Sequence, residues 1–225
     1  MSKYFLRTLL ALTAFSFLVP AAPAAAQTLP RDVVTVGTVA TSATTVDVPV
    51  YIRDVSGTPL GMDQPPGSRI QAYSIRVNYT PTSAVQSVTF TRAGITAGLT
   101  PTAEFTPASA GAISLIDSFD ETTDPIPFTL NAAAPGNQIG RLSFALAPGT
   151  APGTVIALTL DATLTQLSNQ GGTTAETVVL GNLALVNGSI TVTAAPAPPA
   201  PIPTAGQWGL LLFALTLIVI ACHRI

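Results

Sequence analysis

"AYSIRVNYTPTSAVQSVTFTRAG", residues 72–94, decides how the rest of the chain is read. Tyr73, Ile75, Val77 and Tyr79 alternate with Ser74, Arg76 and Asn78. That period of two is the pattern of a strand with one buried and one open face. Thr80-Pro81-Thr82-Ser83 supplies a turn, and a second short run follows from Val85 to Thr91. The two tyrosines fall on the apolar face and are predicted to lie in the core.

Working outward, similar runs recur at "TTVDVPVYIRD" (44–54), "GAISLIDSF" (111–119), "IGRLSFALA" (139–147), "TVIALTLDATL" (154–164) and "TVVLGNLALVNGSITV" (177–192). Between them stand "GTPLGMDQPPGS", "TDPIP", "APGN", "APGTAPGT" and "NQGGTT", rich in the Gly, Pro, Asn and Asp that turns select. Many short strands with no helical period predict an all-β fold, an antiparallel two-sheet sandwich or jelly roll. Pro49 has no amide proton, so its strand is expected at an edge or with a bulge. Residues 93–110 carry Gly94, Gly98, Pro101 and Pro107 and are expected to form a long loop.

The two ends differ from this middle. Lys3 and Arg7 precede an apolar run of 11 residues, Leu9 to Val19, and Ala24-Ala25-Ala26 follows. This is the form of a secretory signal peptide over residues 1–26, with Ala24 and Ala26 framing a cleavage site before Gln27. The domain is then 27–193, followed by "AAPAPPAP" at 194–201, a semi-rigid linker. The tail, 202–225, is apolar, with a membrane helix expected at about 208–222. From Gly209 to Ala221 it has 13 uncharged residues, about 20 Å of helix. A hydrocarbon core of about 30 Å is spanned only with Trp208 at one interface and Arg224 reaching the other.

Composition excludes several function classes. The domain has six arginines, no lysine and all eleven acids of the chain, a formal charge of −5. Nucleic-acid binding, which relies on clustered Lys and Arg, is not expected. The only cysteine, Cys222, and the only histidine, His223, lie in the tail. The domain therefore has no disulfide, no Cys or His metal ligand and no histidine base for a nucleophilic triad.

The remaining polar candidates are carboxylates. Asp117, Asp120, Glu121 and Asp124 lie within eight residues and are weak calcium candidates, lacking the D-x-[DN]-x-[DN]-G spacing of a calcium loop. Asp47, Asp54, Glu104, Asp161 and Glu176 are the carboxylates available for a glycoside-hydrolase pair, but nothing in their spacing brings two together. No cofactor and no catalytic residue is assigned. Among the tyrosines of the domain only Tyr51 falls on an exposed face, so no aromatic row for crystalline polysaccharide is expected. Asn78-Tyr79-Thr80 and Asn187-Gly188-Ser189 are taken as strand and turn chemistry rather than glycosylation sites.

The order of "TTVDVPVYIRD", "IQAYSIRVNYTPTSAVQSVTFTRAG", "IGRLSFALAPGTAPGTVIALTL" and "LVNGSITV" resembles the cohesin domain over about Val33 to Val192. The resemblance implies a jelly roll related to carbohydrate-binding modules, with one sheet face docking a protein such as a dockerin. The tail resembles the IPTL-type carboxy-terminal sorting signals of Gram-negative bacteria through Ile202, Pro203, Thr204, Trp208, Gly209 and Arg224, with Ala205 where leucine is usual. That implies a sorting protease of the exosortase-like type. Together these predict an exported, non-catalytic module, membrane-tethered or displayed at the cell surface, that binds a protein or a glycan. A structural component of extracellular matrix or biofilm is the alternative, and a carboxylate-dependent glycan hydrolase the second.

Overall fold

The structure, a computed structural model, describes residues 29–198 and 205–222. The expected cleavage residues Ala24, Ala26 and Gln27, and Ile202, Pro203, Thr204 and Arg224 of the sorting motif, lie outside the described residues. Residues 32–192 form fourteen strands. A five-stranded sheet has the order β13 (Leu183–Val186), β1 (Asp32–Val36), β3 (Thr45–Arg53), β9 (Asn137–Leu146), β5 (Val85–Arg92). The second sheet runs β12 (Ala175–Thr177), β11 (Gln166–Ser168), β4 (Ala72–Thr80), β10 (Val155–Leu160), β14 (Gly188–Val192), β2 (Thr38–Thr41). On the other side of β4 lies β8 (Ala112–Phe119), which carries β6 (Pro101–Phe105) and β7 (Ala108–Ser109).

The sandwich is not purely antiparallel as expected: β1 pairs parallel with β13, and β2 pairs parallel with β14. One corner explains both. The chain leaves the five-stranded sheet at Gly37 and again at Asn187, entering the second sheet each time, so two neighbouring strands switch layers side by side. The run 177–192 is accordingly two strands, not one, and the Asn187 side chain closes the break by accepting the Leu160 amide at 2.9 Å. Gly188 is the tight point, since a Cβ there would meet the Gly37 carbonyl oxygen and lie 2.6 Å from that of Val36. Both obstacles are backbone. Gly188→Ala is therefore expected to cost about 3 kcal/mol, the upper end of ordinary overpacking, read as a lower urea midpoint with an unchanged slope.

Pro49 lies in a central strand rather than at an edge, and the ladder to β9 shifts register between Val50 and Tyr51. Its carbonyl accepts the Gly37 amide at 2.8 Å, so its nitrogen points the same way. That is toward the corner where β1 has already ended, and no ladder bond is lost. The expected loop at 93–110 contains a short 3-10 turn at Gly94–Thr96 and then β6 and β7. Four of the five β6 residues are exposed, so the edge strand shows no alternation from which to recognise it.

One core fills the space between the sheets. Val50, Ile52, Leu142 and Phe144 face Ile75, Val77, Leu115, Ile156 and Leu158, all fully buried. Tyr73 and Tyr79 join them, as predicted from the period of two. The tail forms α1 (Ala205–Cys222), 18 residues, about 27 Å long at 1.5 Å per residue. Among the described residues no helix is long and apolar enough to cross a membrane.

Candidate functional site

β4 is flanked by β8 on one side and by β10 and β11 on the other, so its outward side chains form the middle of an open sheet face. Across this face runs one cross-strand row: Phe105 opposite Ile116, Ile116 opposite Ser74, and Ser74 opposite Gln166. Phe105 is 63% exposed and Ile116 is 37% exposed. Ser74 donates its hydroxyl to the Leu164 carbonyl at 3.2 Å, which sets the 51% exposed Leu164 beside the same row. Three large apolar side chains thus share one surface, where period-two sequence places polar residues.

Polar groups border the patch. The Arg76 guanidinium donates to Ser114 Oγ at 3.2 Å and makes no ion pair among the described residues. Asp161, in the turn after β10, accepts from the Thr163 hydroxyl and amide and from the Leu164 amide. The Thr163 hydroxyl above all, with its amide, holds this exposed carboxyl below its ordinary range. Asp161 remains ionised across the physiological range and fixes the turn that presents Leu164. The face therefore pairs an apolar centre with one cation and one anion, the anatomy of a protein-docking surface.

The sequence-predicted carboxylates are separated. Asp117 is fully buried in β8 and accepts the Tyr73 hydroxyl at 2.5 Å; burial raises its pKa. It is not part of a solvated loop. Asp120 Oδ1 accepts from Thr122 and Thr123, and Glu121 accepts the Gly67 amide. Among the described residues no three Asp, Glu, His or Cys side chains gather as a metal site. Asp47 faces Arg141 and Ser143, and Glu104 lies 3.6 Å from Arg92. Neither a 540 Å³ groove beside Val33, Arg53 and Pro135 nor a 440 Å³ groove beside Tyr79, Gln86 and Ser109 is lined by a carboxylate. Tyr51 lies half-buried in a central strand rather than exposed.

Sequence reasoning missed one convergence. The sequence spacing leaves Asp54 and Glu176 as separate carboxylates and singles out nothing at Asp32, yet all three are fully buried at one end of the sandwich. Their separation along the chain hid this, and the detectable signal was weak: Asp32 opens an apolar strand on an inward-facing position.

No family model and no curated protein matches the chain. Solved structures do match by shape. The third cohesin ScaC of Acetivibrio cellulolyticus, in complex with the ScaB dockerin, superposes with a TM-score of 0.52 at 20% identity, covering 72% of this chain and 99% of that one. The sixth cohesin of scaffoldin B from the same organism, in complex with Cel5 dockerin, gives a TM-score of 0.51 at 15% identity with the same coverage. CaCohA2 from Clostridium acetobutylicum gives 0.50 at 20% identity, over 74% of this chain and 94% of that one. The sandwich of this chain has the cohesin-like fold.

Proposed function

We propose that this domain is a non-catalytic binding module that docks a protein partner, dockerin-like in its chemistry, on the β6-β8-β4-β11 face. The observation that carries the reading is the exposed Phe105–Ile116 cross-strand pair with Leu164 beside it. Apolar side chains gathered at the centre of a polar face are what a partner buries. The fold adds support, since similar cohesins occur in complex with dockerins. A glycan is the less favoured ligand: Tyr73 and Tyr79 are buried, so neither offers a stacking platform. Catalysis has no support in the arrangement of the carboxylates.

On the same reading the chain is exported by cleavage between Ala26 and Gln27. Residues 202–225, with Trp208 and Gly209 at the start of α1, serve as a sorting signal that hands the domain to a membrane protease and to the cell surface. Calcium at Asp120, Glu121 and Asp124 forms no part of it.

Titration calorimetry of the full chain against a panel of purified dockerin modules, with soluble xylan and cello-oligosaccharides as a second arm, tests the function. Saturable binding to a dockerin is expected. Binding confined to the glycans, or to neither arm, overturns the reading. Mass spectrometry of both termini in membrane and culture-fluid fractions tests the sorting: a new amino terminus at Gln27 and loss of Ile225 are expected, and an intact Ile225 in every fraction refutes processing.

A further inference from the structure

At one end of the sandwich Asp32, Asp54 and Glu176 are fully buried, and none of them makes an ion pair among the described residues. Each commits one oxygen to the backbone of the same loop. Asp32 Oδ1 accepts the Val55 amide at 2.7 Å, Glu176 Oε1 accepts the Leu60 amide at 2.9 Å, and Asp54 Oδ2 accepts the Met62 amide at 2.8 Å. The second oxygens, Asp32 Oδ2, Glu176 Oε2 and Asp54 Oδ1, are buried with no N–H or O–H to meet. Unpaired buried carboxylates of this kind are costly, and the neutral form relieves the cost.

Two of the three face each other. The Asp32 and Glu176 carboxyl groups lie within hydrogen-bonding reach, although neither carries a donor when ionised. Among the side chains around them only the Thr58 hydroxyl carries a donor. From β1 comes only Asp32 and from β12 only Glu176; Asp54 follows β3 and adds a negative charge, with Asp63 beyond it. The Thr58 hydroxyl lies 3.4 Å from Asp32 Oδ1 but also 2.6 Å from the Leu60 carbonyl, where it donates. The ion pairs among the described residues, Arg92–Glu104 and Arg141–Asp47, are elsewhere.

We propose that Asp32 and Glu176 share a single proton, which fastens the start of β1 to β12 and to the Val55–Met62 loop and makes this end of the sandwich a latch that loosens as pH rises. The proton turns one carboxylate into the donor that the facing oxygens lack, as in other buried acid pairs. Two further bonds feel its loss. Asp32 also donates its amide to the Asn182 carbonyl at 3.0 Å, and the Asn182 side chain accepts the Thr177 amide at 2.9 Å. β1, β12 and the turn before β13 are therefore joined through one residue pair.

Burial first, then the hydrogen bond and the charge of Glu176, push Asp32 from the ordinary 3.8 up to about 9; burial raises Glu176 as well. A raised carboxyl pKa means that the folded state holds a proton the unfolded chain has released. The stabilisation is complete below about pH 4 and is lost as pH rises through about 9.

Thermal and urea unfolding of the full chain from about pH 5 to about pH 9 tests this. The unfolding constant of the wild type is expected to rise by up to about tenfold per pH unit from this pair. Asp32→Asn, whose amide donates permanently to Glu176, is expected to remove that share of the slope while Asp54 and Asp117 keep theirs. Should Asp32→Asn fail to fold, Glu176→Gln and a 13C-carboxyl titration of the wild type carry the test, with one proton on the pair expected at neutral pH. Both carboxyls ionised at neutral pH, or parallel slopes in wild type and variant, overturns the proposal. So does millimolar calcium that stabilises the wild type but not Asp32→Asn, which would assign a cation to the gap.

Discussion

Phe144→Ala is expected to destabilise the domain by about 3–5 kcal/mol and to lower Tm by about 10 °C for a domain of this size. Phe144 sits in β9, opposite Val46 of β3 and Val88 of β5, and is completely buried. Its ring meets Tyr79 of the second sheet edge to face, with centroids 5.7 Å apart. Truncation therefore opens a cavity between the layers as well as removing transfer energy. Collapse into the gap is restricted, because the Tyr79 hydroxyl donates to the Ser109 carbonyl at 3.2 Å. Phe144→Leu, which keeps most of the volume, should cost less than half as much. Equal unfolding midpoints for wild type and Phe144→Ala would show that the two sheets do not depend on this contact.

The cost matters beyond stability, because Tyr79 belongs to β4, the strand that forms the middle of the proposed docking face. Binding loss alone in Phe144→Ala would thus be ambiguous. Surface substitutions are needed to separate face from core.

How much of this was legible follows from which contacts repeat locally. The alternation in β4 reports a face buried along the whole strand, so Tyr73, Ile75, Val77 and Tyr79 are assigned to the core from sequence. The same period carries Asp117, which falls on the inward side with Ile113, Leu115 and Phe119, although its company in "DSFDETTD" suggests a solvated loop. Pattern outranks charge there, because the Tyr73 hydroxyl waits on the facing position of the neighbouring strand β4. Edge strands such as β6 have no buried face and leave no such trace. The parallel pairings were hidden for another reason: the switch of layers at Gly37 and Asn187 depends on two distant breaks coinciding in space. The Asp32–Glu176 pair is the extreme case, built by strands at opposite ends of the domain.

Phe105→Asp combined with Ile116→Asp is expected to weaken the proposed docking of a dockerin-like partner by at least about thirtyfold, the effect of losing a hot-spot contact of about 2 kcal/mol. The two residues are cross-strand partners on β6 and β8, so the substitutions place like charges side by side at the centre of the apolar patch. A partner that buries this centre must then desolvate two carboxylates without compensation. Phe105 is largely open to solvent but Ile116 only about one third so, and the fold should lose about 1 kcal/mol, more than the roughly 0.5 kcal/mol usual for exposed substitutions. Arg76→Ala acts differently. Its guanidinium sits at the border of the patch, so it should slow association and flatten the salt dependence more than it raises the dissociation rate. Thr89→Asp, exposed on the outer face of the opposite sheet, serves as the control and should leave affinity unchanged. If Thr89→Asp weakened binding and the paired substitutions did not, the docking surface would belong to the β13-β1-β3-β9-β5 sheet.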